Sequence, residues 1–262
     1  MPEGDTIHHA ALRLRGVLLG GPLDRVRTPH PRTRPRGWEA RLAGRTVTSV
    51  EARGKHLLIS FDDESVIHSH LRMTGQWSVR EATGRGPARG RSLRRAWLVL
   101  GRGAYDAIEF DGPLLDLRTA TQVARDPRLR ALGPDICVAS AFDADEVVRR
   151  IRGGDPGAPV AEALLQQRYV AGIGNVWKSE GCHAAGIDPA RPLGRTDDDE
   201  LRAILAAIAP GIQRCAREGT RLRPKEVYGR SGRPCPRCGT LIAQRGLGDD
   251  NRTTYWCPGC QR

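Results

Sequence analysis

Lysine is nearly absent from this chain: of 42 Lys and Arg, only Lys55, Lys178 and Lys225 are lysine. Long apolar runs are absent too. None approaches the roughly 20 residues of a membrane span, which excludes a helical membrane anchor. No secretory leader precedes the first helical pattern, so a cytoplasmic, nucleoid-associated protein without membrane contact is expected. Internal repeats are lacking, which excludes a repeat architecture. Cys137, Cys182 and Cys215 are scattered, and in a reducing compartment they read as small buried hydrophobes rather than disulfide partners.

What is present is positive charge. The 262 residues carry a formal charge of +12, and a basic domain of this size points to a polyanion, nucleic acid first. Arginine bias with much Ala and Gly partly follows genome composition, so the distribution is more telling than the total. From Arg221 to Arg262 there are nine basic and three acidic residues, which places +6 of the +12 in that segment.

The apolar positions Ile7, Ala11, Leu14 and Leu18 share one helical face. Strand-like runs follow at Leu23 to Arg27, Thr46 to Ala52, His56 to Phe61, Ser65 to His70, Ala96 to Leu100 and Ala104 to Phe110, with Asp62-Asp63-Glu64 as a turn. Arg85-Gly86-Pro87-Ala88-Arg89-Gly90-Arg91 has no periodicity and reads as a flexible hairpin loop. Two Pro and a Gly between Arg125 and Asp135 suggest a linker. Beyond it the periodicity becomes helical: Asp143 to Ile151, Ala161 to Tyr169, Val176 to Ala185, and a longer helix capped by Thr196-Asp197-Asp198-Asp199. In that last helix Leu201, Ile204, Leu205, Ile208 and Ile212 form a packing stripe and Pro210 is a candidate bend. The expected class is α+β. An N-terminal helix and antiparallel β-sandwich span 1–122 and a linker spans 123–139. A helical domain spans 140–223, and a cysteine-bearing hairpin spans 224–262.

Cys235 and Cys238, eighteen residues, then Cys257 and Cys260 give the C-x2-C-x18-C-x2-C spacing of a four-cysteine zinc ribbon. Four thiolates close the tetrahedron, so one Zn2+ there is structural, not catalytic. The segment between the knuckles carries Arg245 and Arg252 and suits close approach to phosphates. Gly172-Ile173-Gly174-Asn175 is a turn whose N–H groups, with the following helix N-terminus, make an anion site. Lys55, in Arg53-Gly54-Lys55-His56, is a mobile point charge suited to phosphate. His68 and His70 share a strand face and are expected to be hydrogen-bonded rather than metal-bound. The five tryptophans read as core. Met1-Pro2 predicts removal of the initiator, which leaves a secondary amine beside the Glu3 carboxyl. The positive end of the first helix opposes protonation of that amine. Taken alone, these residues are an ordinary helix start.

Together the motifs resemble the formamidopyrimidine-DNA glycosylase/endonuclease VIII family. They are Pro2-Glu3-Gly4, Arg53-Gly54-Lys55-His56, Ser69-His70-Leu71, Gly172-Ile173-Gly174-Asn175, Val227-Tyr228-Gly229-Arg230, and Asn251-Arg252-Thr253 inside the four-cysteine finger. The resemblance implies a helix–two-turn–helix motif in the helical domain and damaged DNA as the partner of a monomeric enzyme. It implies that Pro2 attacks C1′ of the damaged nucleotide and that Glu3 shuttles protons. Lys55, Asn175 and Arg252 grip the flanking phosphates, and Met73 with Arg72 fills the space of the extruded base. Glu180 matches a further active-site carboxylate. The implied reaction is excision followed by β,δ-elimination through a Schiff base, without a metal or nucleotide cofactor.

Departures from the family's purine branch point to the substrate. Only six residues separate Glu218-Gly219-Thr220 from Val227-Tyr228, too few for the loop that covers an extruded 8-oxoguanine. Phe110-Asp111-Gly112-Pro113-Leu114 stands where that branch has its orphan-base segment, and Ala161 replaces a lysine. Pro2-Glu3-Gly4-Asp5 and Trp77 look like the endonuclease VIII branch. Oxidised pyrimidines and abasic sites are therefore expected. The alternatives are a non-catalytic damaged-DNA-binding module on the same scaffold and an 8-oxoguanine/formamidopyrimidine glycosylase.

Overall fold

The structure is a computed structural model and describes residues 1–82, 93–248 and 251–262. The arginine- and glycine-rich stretch from Arg85 to Arg91 lies outside the described residues. The chain divides into two compact units, one of Met1–Pro2 and Thr6–Arg130, the other of Glu3–Asp5 and Ala131–Arg262.

The first unit begins with α1 (Gly4–Leu18), of which residues 4 and 5 belong to the second. Its stripe Ile7, Ala11, Leu14 and Leu18 is buried, the outcome expected of a 3.6-residue period. There follow β1 (Arg25–Arg27), α2 (Trp38–Leu42), β2 (Val47–Arg53), β3 (His56–Phe61), β4 (Ser65–His70) and β5 (Gln76–Glu81). Beyond these come β6 (Ala96–Arg102), β7 (Tyr105–Phe110), β8 (Leu114–Thr119), α3 (Ala120–Ala124) and α4 (Pro127–Arg130). The strands pair antiparallel in two four-stranded sheets, ordered β1-β6-β7-β5 and β2-β3-β4-β8. Leu57, Ile59 and Ile67 of one sheet, Leu98 and Leu100 of the other, and the α1 stripe form one core. This is the expected sandwich.

The sequence reading missed β5 and β8. Both carry a period-2 signal, Trp77 and Val79 in β5 and Leu115 and Leu117 in β8 alternating with polar residues, but it covers only two apolar positions on one face in each. The β2–β3 connection is a two-residue turn, with Arg53 paired to His56 and Gly54 at φ 57°, so Lys55 stands at its tip.

In the second unit α5 (Ala144–Arg152) is capped by Asp143, whose carboxylate accepts the N–H of Asp145 and Glu146. After α6 (Val160–Leu165) comes α7 (Asn175–Ala185), then α8 (Asp198–Glu218), opened by a capping box between Asp197 and Glu200 and continuous through Pro210. Helix α6 ends four residues before the expected Tyr169. Gln167 turns its amide back on the chain, donating to the carbonyls of Leu165 (2.9 Å) and Ile173 (3.1 Å) and accepting from Gly172 N–H (3.0 Å). That side chain both stops the helix and shapes the glycine turn before α7. Helices α7 and α8 pack closely: a Cβ on Gly181 would lie 2.4 Å from Ile208 Cγ1. The hairpin β9 (Ala243–Leu247) and β10 (Arg252–Trp256) closes the chain.

Candidate active site and DNA-contact residues

The N-terminus of α7 holds a carboxyl group, and that group belongs to the chain itself. Glu3, fully buried, accepts the N–H of Val176 at Oε1 (2.7 Å) and of Trp177 at Oε2 (3.3 Å). Gly4 N–H binds Gly172 carbonyl at 2.8 Å. A Cβ on Gly174 would fall 2.3 Å from Glu3 Cδ, so the second glycine of the turn exists to admit this carboxylate. The sequence reading gave the Gly172–Asn175 turn an open anion site; the structure fills it with Glu3. N–H groups at the positive end of a helix stabilise negative charge there. Asp5, two residues on, accepts Trp177 Nε1 (3.0 Å) and Arg223 Nε (2.7 Å), and pairs with Arg223 through Nη2 as well. Glu3 and Asp5 are thereby riveted to α7 and to the segment after α8.

Asn175 and Arg252 meet around a buried lysine. Lys178 Nζ donates to Asn175 Oδ1 and, at 2.6 Å, to Thr254 Oγ1. Asn175 Nδ2 donates to Thr253 carbonyl at 2.7 Å, and Thr254 Oγ1 donates to Arg252 carbonyl at 3.1 Å. Burial pushes the Lys178 ammonium down to about 8, opposed in part by the Glu3 charge. Lys178, Arg252 and Thr254 line a cavity of about 460 Å3 with Ala161, Gln166 and Arg168. Arg252 itself is exposed at the start of β10.

Glu180 is buried and committed to the backbone: it accepts the N–H of Glu226 (3.1 Å), Val227 (3.2 Å) and Tyr228 (2.9 Å). Burial raises its pKa while those three bonds lower it. Its visible work is to shape the Val227-Tyr228-Gly229 turn.

In the first unit Lys55 and Arg72 gather about His70, whose pKa burial and these two cations press down to about 4. His70 Nδ1 accepts the N–H of Arg72 at 3.1 Å. Arg72 sits at φ 50°, a strained conformation for a side-chain-bearing residue, and the turn is closed by Gly75 N–H to Leu71 carbonyl at 2.9 Å. Met73 at its tip is 63% exposed, which removes it from the core and leaves it as a projecting apolar probe. Beneath the turn Trp77 Nε1 donates to Ser69 Oγ (3.2 Å), and Ser69 donates to Glu109 Oε1 (2.6 Å). Burial drives the Glu109 carboxyl up to about 8. His56 Nδ1 and His68 Nε2 lie 2.9 Å apart, the hydrogen-bonded arrangement expected of structural histidines.

The Sγ atoms of Cys235, Cys238, Cys257 and Cys260 all lie within 4.8 Å of one another, with Cys235–Cys260 at 3.8 Å and Cys238–Cys257 at 3.4 Å. Thiolates about 2.3 Å from one tetrahedral ion are separated by such distances. His183 Nε2, 3.5 Å from Cys235 Sγ, supplies an outer contact.

Residues 1–104 match the formamidopyrimidine-DNA glycosylase N-terminal domain, and 132–223 match the formamidopyrimidine-DNA glycosylase H2TH domain. A probable endonuclease 8 2 of Streptomyces coelicolor is 40% identical over all of this chain and 94% of its own. The chain belongs to the formamidopyrimidine-DNA glycosylase/endonuclease VIII family. Other similar members are the DNA-(apurinic or apyrimidinic site) lyase Nei2 of Mycolicibacterium smegmatis, 38% identical over 100% of this chain and 99% of that one, and endonuclease 8 of Escherichia coli, 31% identical over the full length of both. The fold is that of Lactococcus lactis formamidopyrimidine-DNA glycosylase bound to abasic-site DNA, with TM-score 0.81, 23% identity and 99% of each chain covered.

Sequence reasoning gave no role to Lys178 or Arg223 and read Asp5 only as part of the Pro2-Glu3-Gly4-Asp5 motif. The scarcity of lysine was a signal, used for Lys55 and equally applicable to Lys178. Nothing in the sequence marks the Asp5–Arg223 pair, whose partners are 218 residues apart.

Proposed function

We propose that the protein is a bifunctional DNA glycosylase and DNA-(apurinic or apyrimidinic site) lyase that acts on oxidised pyrimidines and abasic sites. The observation that carries this reading is the buried Glu3 carboxylate. It adjoins Pro2 in the chain and is held by α7 N–H groups a residue away from Asn175. In the sequence as written Met1 acylates the Pro2 nitrogen, so the working enzyme begins at Pro2.

Chemistry then follows from the two side chains. As the Pro2 nitrogen bonds to C1′, the bond from C1′ to the damaged base breaks and the base departs with that electron pair. The Pro2 nitrogen sheds its proton to Glu3, which takes it as a base. Glu3 returns the proton to O4′ as the sugar ring opens to an iminium ion. The iminium acidifies C2′–H; its loss expels the 3′ phosphate, a second elimination expels the 5′ phosphate, and water hydrolyses the remaining Schiff base. Lys55, Asn175 and Arg252 are assigned to the flanking phosphates, and Met73 with Arg72 to the gap left by extrusion, which costs a few kcal/mol. Cys235, Cys238, Cys257 and Cys260 hold one structural Zn2+ that orders the hairpin bearing Arg252. Glu180 is assigned to shaping the site rather than to a reacting atom. We place the protein at the nucleoid, as a monomer.

The pyrimidine assignment is supported by the short segment after α8. It winds one turn at Thr220–Leu222 and is tied to Asp5 through Arg223, which leaves no length for a purine-covering loop. Excision rates on matched duplexes containing thymine glycol or 8-oxoguanine test it. Faster removal of thymine glycol is expected; faster removal of 8-oxoguanine overturns the assignment.

A further inference from the structure

Lys178 is fully buried, yet neither the glycosylase nor the lyase step calls on it. An ammonium can only donate hydrogen bonds, and that fixes the direction of everything around it. Asn175 must turn its oxygen to Lys178, which leaves its amide N–H to Thr253 carbonyl. Thr254 Oγ1 must receive Lys178 with a lone pair, so its single proton goes to Arg252 carbonyl. Two chains of bonds thus leave one ammonium. One sets the carboxamide of Asn175 on α7, and the other sets the backbone of Arg252 on β10. Both belong to the second unit.

We infer that Lys178 is a positioning residue for DNA backbone recognition, holding the zinc-bearing hairpin in register with α7 so that Arg252 and Asn175 present to one stretch of phosphates. The inference rests on the assignment of Arg252 to phosphate made above. Lys178 is not itself a phosphate ligand, since it has no exposed surface. A methionine at 178 fills similar volume but donates nothing. A valine at 254 keeps the shape and removes the relay proton, whereas serine keeps it.

The test is a double-mutant cycle read as the dissociation constant for duplex DNA containing a tetrahydrofuran abasic analogue, using full-length protein with thermal melting and zinc content as folding controls. Lys178→Met is expected to weaken binding about tenfold in the parent background and only about threefold when Arg252 is already Ala, because the Arg252 branch then has nothing to position and only the Asn175 branch still contributes. Thr254→Val is expected to reproduce part of the loss, and Thr254→Ser to restore parent affinity. Equal losses for Lys178→Met in both backgrounds overturn the inference. If Lys178→Met loses zinc or fails to fold, the Thr254 pair decides alone: equal affinity of Val and Ser variants overturns it. Should Arg252→Ala bind like the parent, the phosphate assignment falls first, and the positioning role falls with it.

Discussion

The Glu3 carboxylate accepts the backbone N–H of Val176, 173 residues along the chain, at 2.7 Å. A residue next to the chain start is thus a helix cap for α7, and the Glu3 carboxyl and the turn leading to Asn175 are a single structure. Substituting Glu3 by Gln leaves one acceptor and places an amide N–H against Trp177 N–H. Single-turnover excision should fall by about 10² or more, as loss of a proton shuttle predicts. The melting temperature should fall too, since a cap is worth about 1 kcal/mol. A variant with full excision and unchanged melting contradicts both roles.

The Asp5–Arg223 pair is buried on both sides, with side-chain exposures of 0% and 11%. Asp5→Asn removes the charge and strands the guanidinium. The expected loss is about 3–5 kcal/mol, the usual effect of breaking a buried pair from one side. Denaturant unfolding of the parent and variant measures it, and a loss below 1 kcal/mol contradicts the account.

Glu109 makes stability depend on pH with a definite sign. Its carboxyl titrates near 4.5 in an unfolded chain and is pushed up to about 8 in the fold by burial. Between those values the folded state binds the extra proton, so stability falls as pH rises from about 5 to about 8 and stays low above. Glu109→Gln should flatten that slope. Melting temperatures at pH 5, 6.5 and 8 read the outcome, and parallel profiles for the parent and variant refute it.

Removing the metal should act locally. A strong chelator is expected to extract one zinc per chain and to abolish binding to abasic-site DNA. The far-UV spectrum should change little, because the hairpin strands hold only five residues each. Retained DNA binding at zero zinc would exclude the hairpin from recognition.

The sandwich and the helical region were legible because their apolar positions cluster clearly: Leu57, Leu58 and Ile59 form a buried aliphatic run in β3, and Leu201, Leu205 and Ile208 keep helical spacing in α8. Strands β5 and β8 went unread although Trp77 and Val79, and Leu115 and Leu117, alternate with polar residues, because two apolar positions on a face are a weak signal. At the site, the short motifs exposed Pro2, Glu3, Asn175 and Arg252 as candidates. They did not show that Glu3 closes the helix N-terminus that the glycine turn offers. That depends on a contact spanning most of the chain, which local spacing does not encode. The Lys178 network was hidden for the same reason: Thr254 looks like any strand threonine until Lys178 is brought beneath it.

The central claim is that the Pro2 nitrogen is the nucleophile. Protein verified by mass to begin at Pro2 should be incubated with abasic-site DNA and borohydride, and the adduct digested and sequenced by mass spectrometry. The account predicts a reduced covalent adduct on Pro2, absent when Met1 is retained. Trapping at Lys55 or Lys178, or no trapping by the processed chain, contradicts it.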